Sequence, residues 1–411
     1  MRWSRLLPRR RNPHTVLITG VKAAVRAGSA SKIQKVLLTT RTQVGLGLFE
    51  AQELYLIIAG RVDHSMGHED ASRRLTALAA SMAHQSRSAT TWFSVENLSR
   101  TIGCFKASHE FSRHGFDALS RSDDPRDRFL GALHRRDLSA ATAAWDDLSG
   151  YDSVEAHDAG HYLWLWSKGK AGRPDWSGDS SWSQKISGRE VVLLGPAPTS
   201  LKKTSLKKTS LVGRVAMQDV MSWDEKRDPL GGRCELAWVS RETRMWIKET
   251  NAWDQLSGFD AVSFRVDRAS QEWGEIGSGN MRAAHNPSSL MIGGSSPNMI
   301  PLMVWDVLKV EGASLTLGGT TFFASQTAYT DTNRRFKHTM GKPTDETGST
   351  GELFERCPTF ARHNVSENLA LVANLAQAGA ITVDKECQRV IDLDVVDYLD
   401  ELDQLYGIER L

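Results

Sequence analysis
The pattern of apolar and polar positions changes character part-way along the chain. From Ser31 to Ile58 apolar residues recur at helical spacing, with Gly45 and Gly47 as weak points because glycine disfavours a helix interior. Between His68 and Ser86, Ala71, Leu75, Leu78, Ala79 and Met82 fall three or four apart, which predicts an amphipathic helix. Trp92 to His114 continues in the same style. Asp124-Pro125 puts a proline at the start of a further helix. Arg128–Asp137 and Leu138–Leu148 then predict a helix–turn–helix pair, with small residues on the second helix that allow close packing. No 34-residue period marks it as part of a repeat array. These stretches predict a helical domain over 31–168, preceded by a basic, poorly ordered N-terminus (1–30).

The Gly/Ser/Trp/Pro-rich stretch 169–188 is polar and predicts a linker. Beyond it the pattern becomes short apolar runs bounded by turn residues. Strand-like runs are Val191–Leu194, Leu211–Met217, Cys234–Val239, Ala261–Val266, Ser289–Ile292 and Ala313–Leu317. Helix-like stretches lie at Glu242–Glu249, Met299–Val310 and Val365–Ala378. Strands alternating with helices predict an α/β, Rossmann-like domain over 189–390 built on a largely parallel sheet. Val191–Leu194 should lie near its centre, since an uninterrupted apolar run is buried on both faces. An acidic tail (391–411) follows.

Composition adds limits. A chain of 411 residues has room for two or three domains, and 40% hydrophobic with 24% charged residues is ordinary for a soluble globular protein. No apolar stretch is long enough to span a bilayer, and the one after the first arginines is too short for a signal peptide. The four cysteines (Cys104, Cys234, Cys357, Cys387) are far apart and form no CxxC pair, which argues against a zinc ribbon and suits a reducing cytoplasm. His64 and His68 are four apart, but no third metal ligand accompanies them. The net charge of +2 hides an uneven distribution. Basic residues (Arg2, Arg5, Arg9, Arg10, Arg11, Lys22, Arg26, Lys32, Lys35, Arg41) crowd the start, and acids (Asp392, Asp394, Asp397, Asp400, Glu401, Asp403) crowd the end. A basic N-terminus suits contact with an anionic surface; a frayed, solvated tail accounts for the same composition.

Four stretches carry candidate chemistry. Val191–Leu194 runs into Gly195-Pro196-Ala197-Pro198, a small-residue loop at the end of a buried strand, where open α/β sheets bind ligands. The connection that follows repeats Lys-Lys-Thr-Ser-Leu, a surface-loop duplication whose lysines suit either a phosphate or plain solvation. Pro287 to Pro301 includes Ser295, Ser296 and Asn298 at a helix start, a natural anion site. Val310 to Phe323 ends a strand in Gly318-Gly319. Arg362 to Gly379 places His363 just before a helix, with Glu367 four residues on, so that the carboxylate could orient the imidazole as a general base.

Taken in order, these stretches resemble the sialyltransferase family of glycosyltransferases, especially its bacterial and ulosonic-acid-transferring relatives. Val191–Pro198 and Leu211–Val215, with Arg214, are similar to the two ends of that family's long motif. Ser296–Pro301 through Leu317–Phe322 is similar to its short motif, and His363 with Glu367 to its final one; Tyr329 or His338 could stand for the aromatic/His motif between them. The similarity covers about 190–382. Val215 and Ala216 stand where an Asn is usual, no Tyr stands beside Gly319, and three rather than four residues separate His363 from Glu367.

The resemblance implies an inverting transfer of a sialic acid or related 2-keto sugar acid from a CMP donor to a glycan or lipid-linked acceptor, with no metal and no cofactor beyond the donor. His363 and Glu367 would be catalytic. Gly195, Pro196, Ala197, Arg214, Ser295, Ser296, Asn298, Gly318, Gly319 and His338 would bind substrate. It further implies a cytoplasmic, membrane-associated bacterial enzyme of capsule or cell-wall polysaccharide synthesis, touching the membrane through its basic N-terminus and not binding nucleic acid. Two other classes remain open: a different Rossmann-like nucleotide-dependent enzyme, weakened by the lack of GxGxxG and Walker loops, and a non-catalytic scaffold with a degenerate transferase domain.

Overall fold
The computed structural model describes residues 12–176, 180–216, 226, 228–266, 279–292, 297–325 and 364–406. They fall into two compact units, 12–121 with 399–406, and 122–325 with 364–398.

Unit 1 is helical. Pro13 opens α1 (Pro13–Arg26) at its first position, where its missing N–H costs nothing, and the Asn12 side chain caps it by accepting from His14 N. Residues 13–26, expected to be poorly ordered, are a helix because Leu17, Val21, Ala24 and Val25 give it a buried face. α2 (Ala30–Thr40) packs between α1 and α3 (Leu48–Val62). The expected weak points separate these last two: Gly45 takes φ +73°, and Gly47 is the N-cap of α3. α4 (His68–Met82) buries the five predicted positions. α5 (Ala89–Thr101) and α6 (Phe105–Ser120) form the closest-packed pair in the unit, and α5 carries a buried Glu96–Arg100 ion pair at 2.7 Å.

Asp403 of the last helix, α16 (Val395–Tyr406), takes over the capping of α6 from Cys104, which makes no cap bond of its own. Its carboxylate accepts from Phe105 N (2.7 Å) and Lys106 N (3.0 Å) and lies 3.5 Å from His68 Nε2. Burial alone would lower the His68 pKa; hydrogen bonds with Asp403 and Cys104 outweigh it and raise it to about 10. Residues 395–406 of the expected acidic tail are thus a docked helix: Tyr398 and Leu402 are buried and Asp403 has a structural task.

Unit 2 is α/β. Its sheet has the order β5-β4-β3-β2-β1-β6-β7, with every pairing parallel. The strands are β1 (Glu190–Leu194), β2 (Leu211–Ala216), β3 (Leu236–Val239), β4 (Ala261–Phe264), β5 (Met281–Ala283), β6 (Ser314–Gly318) and β7 (Thr382–Val383). β1 is interior, flanked by β2 and β6, and Val191, Val192 and Leu193 are fully buried. Gly213 of β2 leaves room for the Trp238 ring, which would lie 2.5 Å from a Cβ there. β5 and β7 are edge strands of three and two residues, too short to show a period.

Ser289–Ile292, expected to be a strand, is instead a helical turn, α12. A four-residue apolar run does not distinguish the two by periodicity, and contacts decide: α12 lies on α7 (Pro125–His134), α9 (Val154–Trp166) and α14 (Val365–Gln377). The helical stretch expected as one domain therefore divides. α7, α8 (Leu138–Leu148) and α9 belong with the sheet, and Asn374 Nδ2 donates to Leu133 O (3.2 Å) while Tyr162 Oη donates to Leu371 O (3.0 Å). The expected linker contains α10 (Ser180–Ile186), whose fully buried Trp182 donates to the Asp306 carbonyl at 3.1 Å. Of the remaining helices, α11 (Arg241–Thr250) and α13 (Met299–Leu308) match the predicted ones, and α15 (Lys385–Ile391) follows β7.

Candidate functional site
Strand order locates the place to look. β2 to β5 lie on one side of β1, and β6 and β7 on the other, so the chain's progression reverses between β1 and β6. In open α/β sheets the crevice outside the carboxyl ends of two such strands is the usual ligand position. Here Leu194 pairs with Gly318, and the loops beyond them carry the predicted Gly195, Pro196, Ala197 and Gly319.

The two loops close on each other. Gly195 N donates to Gly318 O (2.9 Å) and Ala197 N to Gly319 O (2.8 Å). A Cβ on Gly195 would come within 2.4 Å of Gly319 O, and one on Gly319, at φ +64°, within 2.8 Å of Gly195 O. The glycines are thus required by backbone-to-backbone contact, the same requirement a close ligand would impose.

Asp384, the N-cap of α15 and nearly buried, stitches the junction. Its Oδ2 accepts from Gly319 N (3.0 Å) and Thr199 Oγ1 (2.5 Å), and its Oδ1 from Cys387 N (2.9 Å). Just beyond, Phe322 (φ +45°) and Phe323 (φ +71°) both hold left-handed backbone, a costly choice for bulky residues that the surroundings must impose. Tyr398 Oη donates to Phe322 O (2.8 Å) and Ser325 N to Phe323 O (2.8 Å). The buried Thr321 Oγ1 has no hydrogen-bond partner among the described residues.

The connection from β1 to β2 contains no α-helix, only a 3₁₀ turn at Lys203–Ser205. A helix N-terminus after the first strand, which holds the pyrophosphate in dinucleotide-binding folds, has no counterpart there. The N-termini of α13 and α14 face this edge instead, since each helix leads into the start of the parallel strand that follows it, β6 and β7. They are joined: Asn298 N, at the N-cap of α13, donates to Asn368 Oδ1 at 2.6 Å.

Asn364 caps α14 by accepting from Glu367 N (3.2 Å), and its Nδ2 donates to Glu367 Oε1 (2.9 Å). Asn368 Nδ2 donates to Asn364 O (2.6 Å). Glu367 is buried within this network, three residues after the N-cap Asn364, which follows His363 in the chain.

The predicted residues thus fall into groups. Gly195, Pro196, Ala197, Gly318 and Gly319 meet at the switch point, and Asn298 meets the helix turn that carries Glu367. Arg214 joins neither: it makes a buried bidentate pair with Asp228 (2.6 and 2.7 Å) and donates to Arg233 O (2.9 Å), which ties β2 to the loop before β3. Ser295, Ser296, Tyr329, His338 and His363 lie outside the described residues.

Sequence reasoning missed Asp384, Asn364 and Asn368; the N-cap position of Asp384 before Lys385 and of Asn364 before Val365 was the available signal. It also missed a buried polar node under α13. Asp306 Oδ2 accepts from Trp238 Nε1 (2.8 Å) and Arg282 (2.7 Å), Oδ1 accepts from His285 N (2.7 Å), and Arg282 also reaches Ser263 Oγ (2.8 Å) and lies over the Trp182 ring. One carboxylate thereby fixes α13 over β3, β4 and β5.

One turn on, buried Lys309 lies between Asp158 (3.2 Å) and Asp175 (2.9 Å). Burial raises the Asp158 pKa to about 6 against the pull of Lys309. For the more exposed Asp175 burial pushes upward, but the Lys309 hydrogen bond prevails and lowers it. Burial lowers His161 to about 4; its Nδ1 accepts from Asp175 N (2.9 Å), so Nε2 carries the proton donated to Leu308 O (2.8 Å).

Among the described residues no three His, Cys, Asp or Glu side chains gather as a metal site. No protein-family model, curated protein or solved structure matches the chain.

Proposed function
We propose that unit 2 is an inverting glycosyltransferase domain that moves a sialic acid or related 2-keto sugar acid from a CMP donor to a glycan hydroxyl. The observation that carries this reading is the Asn298 N–Asn368 Oδ1 bond, which joins two stretches far apart in sequence, the α13 start and the α14 start, at the carboxyl edge of a parallel sheet. Two helix N-termini there concentrate partial positive charge and backbone N–H groups, the environment a leaving phosphate needs.

In this reading the α13 turn receives the CMP phosphate, and His363 takes the proton of the acceptor hydroxyl. As the acceptor oxygen bonds to the anomeric carbon, the bond from that carbon to the CMP phosphate oxygen breaks, and CMP leaves with the electron pair. Glu367 holds Asn364, which sets the start of the helix that follows His363. Gly195 and Gly319 shape the neighbouring wall.

The test is a thermal-shift series with CMP, UDP and NAD, followed by a transfer assay from a CMP-sugar acid. CMP alone should raise the melting temperature, since a ligand bound only by the folded state stabilises it. His363→Ala should keep that shift while turnover falls by about 10²–10⁴. An equal response to all three nucleotides, or to none, would remove the reading.

A further inference from the structure
We infer that α1–α3 of unit 1 form a peripheral docking surface for an anionic lipid membrane. The apolar part is on α3. Leu48, Phe49 and Leu56 are 50%, 64% and 48% exposed, while the opposite face buries Ala51, Leu54, Ile57 and Ile58. Positions 48, 52 and 56 form one stripe at four-residue spacing, and Phe49 lies seven residues before Leu56, so the three apolar side chains share a face broken only by Gln52. A helix apolar on both sides has one side committed to the core and another left for something other than water. No helix among the described residues is long and apolar enough to cross a membrane, so the contact is with its surface.

The charged part lies on the helices packed against α3. The chain contains no Asp or Glu before Glu50, so α1, α2 and the turn leading to α3 bring only positive charge: Lys22, Arg26, Lys32, Lys35 and Arg41. Arg26, Lys32 and Lys35 are exposed, and α2, which carries the two lysines, packs against α3. This pairing of features selects the partner. A second copy would bring like charges together, and a nucleic acid would leave the Leu and Phe side chains in water. An anionic bilayer takes both, with headgroups meeting the lysines and the acyl boundary receiving Phe49 and Leu56. The surface stands whether or not unit 2 transfers a sugar.

The experiment is cosedimentation of the full chain with phosphatidylcholine vesicles and with vesicles containing phosphatidylserine, at low and high salt, beside a duplex oligonucleotide control. The chain should bind the phosphatidylserine vesicles only, and less tightly as salt shortens the screening length. Lys32→Gln/Lys35→Gln should weaken partitioning by about 25-fold, roughly fivefold for each charge. Phe49→Ser/Leu56→Ser should weaken it at least about tenfold with the melting temperature unchanged, because both side chains are already exposed. Binding to neither vesicle, equal binding to both, or wild-type binding by the Phe49/Leu56 variant would overturn the inference. So would a dimer abolished by that variant, or oligonucleotide binding without vesicle binding.

Discussion
The two halves of the candidate site in unit 2 solve the same problem by opposite means. At the β1/β6 switch point the chain closes on itself, backbone against backbone, with glycines on both sides and one carboxylate, Asp384, tying the seam. At the α13/α14 junction polar side chains do the joining: the Asn364 and Asn368 amides and the Glu367 carboxylate satisfy one another and the Asn298 N–H. A seam made of backbone has no tolerance for an added atom. A junction made of amides can exchange one partner for another. The first is therefore expected to govern stability, and the second to govern ligand response.

The largest effect should come from breaking the seam. Gly195→Val would drive a Cβ against Gly319 O, which cannot move without β6, and should cost roughly 3 kcal/mol in urea unfolding. If the loss is under about 0.5 kcal/mol, within the range of ordinary surface substitutions, the seam is open rather than closed.

Asp384→Ala comes next. It removes a helix cap and leaves Gly319 N and Thr199 Oγ1 without their acceptor, for about 2 kcal/mol, whereas Asp384→Asn keeps an acceptor oxygen and should cost about half of that. Equal costs for the two substitutions would mean that the charge, not the hydrogen bonding, holds the seam.

Asn368→Ala sharpens the contrast. Folding stability should fall by only about 1 kcal/mol, while the stabilisation by CMP disappears. A variant that keeps its CMP response separates the α14 turn from the donor site.

The remaining effects are in pH. Because burial raises the Asp158 pKa from its ordinary 3.8 to about 6, this group favours the folded state most at pH below 3.8 and loses that contribution as pH rises through about 6. Asp158→Asn should flatten stability across that window. His68 in unit 1 has the same sign at higher pH: its contribution is complete below 6.5 and is lost as pH rises through about 10, so His68→Gln should remove a decline on the alkaline side.

How much of this was legible in the chain depends on length scale. β1 was legible because four of the five residues from Glu190 to Leu194 are apolar in an unbroken run before a Gly-Pro stop. α4 was legible because one helix face has a period that five residues repeat. α12 was not, because four residues have no period, and β7 was not, because two residues become a strand only beside Thr316 and Leu317. The candidate glycines were legible as a class, since small residues after a buried strand need little context. Their partner was not: Gly195 meets Gly319 from more than a hundred residues away, and Gly319 N is held by Asp384, 65 residues further on.

By itself the sequence determined local matters, those settled within a turn or a strand: where helices begin and stop, which runs are buried on both faces, and that the first 49 residues carry only positive charge. Tertiary structure alone decided which residues meet. Arg214, which any local reading leaves available to a ligand, is committed to Asp228, and Asp306, unremarkable in an apolar helix, holds α13 to three strands. A buried charge must find its partner wherever the fold puts one, and strand order, not sequence neighbourhood, sets that place.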